Sequence, residues 1–338
     1  MATTKVPNNF IDLSGDSGAL PWAAGTFAQR PGSPNAGDFR YNTVQTTFEF
    51  YNGTEWRKID SFSPYGIQFL VIAGGGAGGS NTVTTAHGAG GGAGGYRTSY
   101  GTGNISGGNS PVESPYTPTS GTIYTITVGA AASQNTTAND SSIVGGTINL
   151  VSLRGGYGGD AYSNPGQDGG SGGGGSNGAA KRFEGSGTSG QGTDGGYGGV
   201  SNAGGGGGGA GQTGFDSGPS NSVGGAGGSG LASLITGTSV IRAGGGGGSG
   251  YSTFGAGGSG GGAQGGKSGV NGSSGTANTG GGGGGGSGYL QAGAGGSGVV
   301  ILRILTSIYS GTTTGSPTVT EDGGDTILTY TGSGTYTH

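Results

Sequence analysis

Cysteine is absent from the 338 residues. That excludes a disulfide framework and every thiolate metal site. Charge is scarce as well: 12 Lys plus Arg and 16 Asp plus Glu, with a formal net charge of −4. So few cations leave no basic stripe for nucleic acid and no polybasic segment for a membrane surface. No stretch approaches the roughly 18 apolar residues of a membrane span. The opening MATTKVPNNF lacks the basic and apolar regions of a secretory signal. Histidine occurs only at His87 and His338. Hydrophobic side chains make up 29% of the chain. Ordinary domains reach about 45–50% apolar residues with glycine counted, so a conventional core for this length is excluded, and an ordinary enzyme domain with it. A structural or binding protein is expected, with no cofactor.

Glycine fills the gap, at 96 residues. Residues 1–66 hold 7 of them and residues 301–338 hold 6, so the other 83 lie between. Three regions follow: a head (1–66), a glycine-rich body (67–305) and a tail (306–338). The body is not collagen. Tracts such as 204–209 and 280–286 break any triplet register, and the body has only Pro111, Pro115, Pro118, Pro165 and Pro219. A flexible linker is opposed by the strand signals that frame it. Ile67-Gln68-Phe69-Leu70-Val71-Ile72 opens the body and Val299-Val300-Ile301-Leu302-Arg303-Ile304-Leu305 closes it. Both are short apolar runs bounded by glycine. Thr122 to Val128 and Thr147 to Leu153 add two further strands with period 2.

About ten glycine tracts project from this framework, joined by polar links such as Lys181 to Glu184 and Gln212 to Asp216. Glycine disfavours both α-helix and β-sheet. The remaining regular conformation is a left-handed threefold helix of the polyproline-II type, rising about 3.1 Å per residue. With no Cβ, such rods approach closely and bond backbone to backbone. Each bond contributes about 0.5–1.5 kcal/mol net, against about 1–2 kcal/mol for ordering each residue. A lone rod does not persist on that balance; a cooperative bundle clamped by a sheet does. The expected fold is therefore all-β and irregular, a strand framework carrying a polyglycine-II bundle, with almost no α-helix.

Leu70-Val71-Ile72-Ala73-Gly74-Gly75-Gly76, Gly91-Gly92-Ala93-Gly94-Gly95-Tyr96, Tyr124-Thr125-Ile126-Thr127-Val128-Gly129 and the closing Gly293 to Arg303 resemble the glycine-rich domains of tailed-bacteriophage tail fibres and adhesins. The resemblance covers about 67–305. It implies a polyglycine-II bundle whose tip loops recognise a host surface glycan or outer-membrane protein. It also implies a virion location, release by lysis, a homotrimer, and no membrane insertion. Arg30-Pro31 through Thr43 with Thr47 to Ile59 resembles a β-hairpin module of phage fibres, expected to attach the chain to other virion proteins. Thr318 to Thr337 resembles the strand pair that precedes the body in that family. Here it follows, so it either closes the same sheet in permuted order or pairs with a neighbouring subunit.

Several formal motifs are explained by glycine density. Gly261 to Ser268 fits the P-loop pattern but lacks a flanking strand and helix. Gly155 to Ser163 fits a single calcium β-roll repeat, where stacked copies are required; Asp160 reads as a turn residue. The G-x-S-x-G matches at Ser171, Ser176 and Ser259 have no histidine partner in sequence reach. Asn52-Gly53-Thr54 and Asn271-Gly272-Ser273 fit glycosylation acceptors without a secretory context. The informative residues are the aromatics, cations and amides between tracts: Tyr162, Asn164, Lys181, Arg182, Phe183, Phe215, Asp216, Tyr251, Phe254, Lys267 and Asn271. Such residues suit contact with sugars and protein loops, or else they cap the bundle. The expectation is a non-catalytic virion fibre or adhesin. The rivals are a decoration protein without a receptor role and an ice-binding glycine-rod protein, which requires a regular Thr or Ala face.

Overall fold

The computed structural model describes residues 23–44, 47–58, 66–80, 86–103, 105–134, 136–160, 164–177, 183–199, 202–218 and 222–338. The chain divides into two units, residues 1–64 and 65–338. The first holds a four-stranded sheet ordered β1-β2-β3-β4, from Ala24–Gly25, Phe39–Asn42, Thr47–Tyr51 and Trp56–Lys58. Aromatic alternation sets its register: Phe39 lies opposite Phe50 and Tyr41 opposite Phe48. The Phe39 and Phe48 rings stack at 5.1 Å. Glu49 is fully buried on the other face of β3. It takes charge-assisted bonds from Arg30 and a bond from Asn42, with Arg40 3.4 Å away. Hydrogen bonding from Arg30 holds its carboxyl below the usual range.

In the second unit, one five-stranded sheet is ordered β14-β15-β12-β5-β6 and the other β13-β16-β7-β8-β9. The first combines β5 (Gln68–Ile72), β6 (Tyr96–Thr98), β12 (Val299–Leu305), β14 (Thr318–Asp322) and β15 (Asp325–Tyr330). The second combines β7 (Ile123–Thr127), β8 (Ser141–Gly145), β9 (Ile148–Ser152), β13 (Thr312–Thr314) and β16 (Gly334–Thr337). The two runs that frame the body are antiparallel neighbours at the centre of the first sheet, with Ile301 opposite Leu70. Both faces of that sheet are covered, which is why these runs are apolar throughout rather than alternating. One face packs Phe69, Val71, Val300, Leu302 and Leu328 against Tyr124, Ile126 and Ile143 of the second sheet. The other packs Leu70, Ile72, Val299 and Ile301 against Ala93, Ala210, Ala243 and Ile235 at the base of the rods. The tail pairs within its own chain: β15 with β12, and β16 with β7. A hairpin, β10 (Leu231–Ser233) and β11 (Val240–Arg242), also sits at the base. The carbonyl of Ile235, in the hairpin loop, accepts from Arg303.

The rods obey a threefold rule. In rod 88–95, the N–H groups of residues 88, 91 and 94 donate to the carbonyls of 286, 283 and 280. Those of 89, 92 and 95 donate to 159, 156 and 153, and those of 90 and 93 to 205 and 208, all at 2.8–3.0 Å. Its carbonyls accept from rods 74–79, 170–177 and 243–250. Three rods thus take its donors and three others its acceptors, a hexagonal packing that pairs every N–H of residues 88–95 and the carbonyls of 88–93. Rods 203–210 and 243–250 are surrounded in the same way. Positive φ occurs at reversals, such as Gly190, Gly260, Gly261 and Gly269, or at rod ends, Gly280 and Gly288. Rod interiors keep the left hand that their Ala and Ser residues require.

Glycine content tracks the number of rod neighbours. Interior rods 88–95, 170–177, 203–210, 243–250 and 280–288 carry only Gly, Ala and Ser, with a terminal Asn177, and are buried throughout. Peripheral rods 153–159, 193–199, 223–230 and 291–298 keep two small inward residues in each triplet. Their third residue, as at Arg154 and Tyr157 or Asp194 and Tyr197, faces out. The outermost segments 164–169, 212–218 and 271–276 keep glycine at about every third position. The polar segment from Gln212 to Asp216 therefore differs from its reading as a link. It is itself a rod, bonded to rod 203–210 through Gly206 and Gly209. An outside rod has two sides free to carry side chains. Within the described residues, helical structure is confined to three 3-10 turns, Phe27–Gln29, Gly107–Asn109 and Thr306–Ile308.

Candidate functional site

Because rods run up and down, alternate reversals fall at the same end. The rods leave the sheets at Gly74, Leu153 and Ala243 and return at Tyr96 and Val299, so one end of the bundle is the base. The described residues 86, 160, 164, 177, 183, 199, 202, 218 and 222 and the reversals 250–253, 266–271 and 287–291 all lie at the opposite end, the tip. Backbone bonds tie these tip loops together. Tyr251 N–H donates to Asn202 O at 3.0 Å, Ser252 N–H to Ser222 O at 3.0 Å and Gly288 N–H to Ala86 O at 2.8 Å.

The structure brings Tyr251, Phe254, Lys267 and Asn271 together on adjacent tip loops. The Lys267 ammonium lies 5.5 Å from the Phe254 ring, within cation–π range. Asn271 Oδ1 accepts from Gln291 N–H at 3.1 Å, pinning two loops. Asn164 and Phe183 share the tip end; Asn164 Nδ2 donates to Asp160 Oδ1 at 2.6 Å, and the Phe183 ring meets Tyr197 edge-on at 6.4 Å. Phe215 and Asp216 are elsewhere, midway along the outer rod 212–218. There Asp216 Oδ1 accepts from Tyr197 N–H at 2.9 Å, a rod-to-rod tie. Tyr162, Lys181 and Arg182 lie outside the described residues.

Below the exposed loops, the tip is held by a polar clasp. His87 is 2% exposed. Its N–H donates to Asn177 Oδ1 at 2.7 Å, Asn177 N–H donates back to His87 O, and Ser287 Oγ lies 3.2 Å from Nδ1. Three rods meet there. Burial pushes the His87 imidazole down to about 4, so it is neutral at pH 7. The Tyr251 ring covers it edge-on at 6.5 Å.

Sequence reasoning missed Tyr289, 70% exposed, and Val270, 41% exposed. They stand on the tip loops 266–271 and 287–291, at the end that holds Tyr251, itself 60% exposed. The available signal was the parity of reversals along an up-and-down chain, which places 287–291 at the end that holds 250–254.

The formal motifs take structural places. Gly261 to Ser268 runs from a base turn along rod 262–266 into a tip turn, with no strand before it and no helix after it. Ser171 and Ser176 are buried inside a rod. Asn52 Oδ1 caps the β3–β4 turn, accepting from Thr54 and Glu55 N–H. Among the described residues, no three His, Asp or Glu side chains converge as a metal site would.

The family model described as a glycine-rich domain matches residues 59–305. No curated protein and no solved structure matches the chain. The match begins ahead of β5 and ends with β12, the two strands that clamp the rods, and it spans well over half the sequence; the chain belongs to the glycine-rich domain family.

Proposed function

We propose that this chain is a non-catalytic fibre or adhesin subunit of a bacteriophage virion, and that its tip face attaches to a receptor on the host cell surface. One observation carries the reading. At the end remote from the sheets, the reversals present exposed aromatic and apolar side chains, Tyr251, Val270, Tyr289 and Phe183, on loops tied to one another by backbone bonds. Exposed aromatics on rigid loops are characteristic of binding surfaces. The bundle serves as a stiff, protease-resistant spacer, and the N-terminal hairpin unit joins the particle in a homotrimer. The resemblance to phage fibre sequences supports the biological setting.

The test replaces the exposed Tyr251, Val270 and Tyr289 with serine, leaving Asn271 and Ser287 in place, in the virus that carries the protein. Adsorption to host cells is expected to fall at least tenfold, while the purified variant keeps its melting temperature. Unchanged adsorption overturns the reading in favour of a decoration protein. The ice-binding alternative draws no support from the rods, whose outward residues mix Arg154, Tyr157, Asp194 and Tyr197 instead of forming a Thr or Ala array.

A further inference from the structure

Away from the centre of the tip, the bundle has a groove on its side. It runs between the β7–β8 loop and the outer rods 153–159 and 164–169. It is lined by Thr136, Thr137, Tyr157, Asp160, Asn164 and Gln167 and encloses about 310 Å³. Toward the base it continues into a cleft of about 70 Å³ beside Arg154 and Asp168. The combined space sits at the small end of the range for ligand sites.

Tyr157 is the centre of this groove, and the threefold lattice makes it rigid. It is the outward residue between two glycine pairs. Gly156 N–H bonds Ser171 O at 2.9 Å, Gly158 N–H bonds Ala77 O at 3.0 Å, and Gln167 N–H bonds Tyr157 O at 2.9 Å. The side chain packs on Ala77, Ala132 and Ala138. The ring is therefore fixed by backbone on either side and by a cushion of methyl groups. Around it stand a carboxylate and an amide already joined to each other, Asp160 Oδ1 and Asn164 Nδ2 at 2.6 Å. The second amide, Gln167, is exposed, and its Nε2 donates to Pro165 O at 3.4 Å. Thr137 stands on the opposite wall.

We propose that this groove binds a neutral hexopyranose unit of a saccharide, stacked on Tyr157. A pyranose ring has an apolar face of C–H bonds and a rim of hydroxyls that both donate and accept. An immobile aromatic platform bordered by a carboxylate, two amides and a hydroxyl matches both features. Charge selects within the class. Among the described residues, no Lys or Arg lines the main groove; the carboxylate of Asp160 does, so uronic, sialic or phosphorylated sugars are disfavoured. The groove is a site separate from the loops around Tyr251 and Tyr289, and it stands or falls apart from the receptor role given to them.

The experiment is saturation-transfer NMR on the full chain with methyl β-glycosides of glucose, galactose and N-acetylglucosamine, with lactose, and with sialyllactose as the anionic comparison. Transfer to the ring C–H protons of a neutral sugar is expected, with at least fivefold less for sialyllactose. Tyr157→Ala and Gln167→Ala should each cut the signal at least fivefold, and Tyr251→Ala should leave it unchanged. Gln167 is exposed, so its variant keeps the fold, and a melting curve checks this. No transfer from any neutral sugar overturns the proposal. So does a signal that survives Gln167→Ala, or one that is lost in Tyr251→Ala and kept in Tyr157→Ala; that last pattern places sugar binding at the tip.

Discussion

The sheets and the rods of the second unit are both closely packed, yet they are held by opposite means. Between the sheets, side chains do the packing: Val71, Leu302, Leu328 and Tyr336 are fully buried, and each large apolar side chain contributes about 1.5–3 kcal/mol of burial. In the bundle, backbones pack directly. A Cβ added at Gly207 would lie 2.0 Å from Gly91 O, and one at Gly246 2.0 Å from Gly283 O. The meaning of a residue inverts between the two regions. In the sheets a large side chain marks the inside; in the rods it marks the outside.

The largest expected effect comes from putting a side chain inside the lattice. Gly207→Ala has no side chain to displace, only the backbone of rod 88–95. It should destabilise the unit by more than about 4 kcal/mol or abolish soluble expression, as read by urea unfolding. If the midpoint hardly moves, the backbone-core account of the bundle fails. The converse change in the sheets is Ile301→Ala, which empties a fully buried position. The loss should be about 2–5 kcal/mol, clearly measurable but smaller than that of the single methyl group at Gly207.

A pH series separates the tip from the base. His87 is held neutral, with its value lowered to about 4 by burial. A lowered folded value means that its contribution is complete above the unfolded value near 6.5 and is lost as pH falls through about 4. The loss is at most about 3 kcal/mol, taking 1.36 kcal/mol per unit. Melting temperature should fall more steeply between pH 6.5 and 4 in the parent chain than in His87→Gln. Parallel curves would show that the clasp does not titrate as placed. The smallest effect is expected at Ala256→Lys, an exposed position beside Gly255. It should shift stability by no more than about 0.5 kcal/mol. Gly255→Ala, one residue away, places its Cβ 2.0 Å from Gly225 O and should behave like Gly207→Ala.

Much of the fold is legible in the residues. β5 and β12 read as buried strands from their apolar runs, and β7 and β9 from their period of 2. The glycine tracts read as rods because no other regular conformation suits them. The outer rods 164–169, 212–218 and 271–276 did not, since glycine at about one position in three is a dilute signal among Gln212, Phe215 and Asn271. Only a neighbouring rod shows that those segments are extended in the same lattice. The placement of the candidate residues was legible only in part. Tyr251, Phe254, Lys267 and Asn271 were picked out by residue type and meet at the tip, whereas Phe215 and Asp216, chosen on the same grounds, face sideways.

Returning to what the chain lacks, composition alone determined that no ordinary side-chain core could span this molecule, and that glycine had to supply contacts in its place. It also determined the threefold conformation, because glycine runs without β-branched residues leave no other regular choice. The tertiary structure decided which rods are interior, which reversals share the tip, and which outward residues gather into a face or a groove. Those outcomes depend on how a rod's three sides are shared among its neighbours, and a glycine carries no side chain that could specify the neighbour in advance.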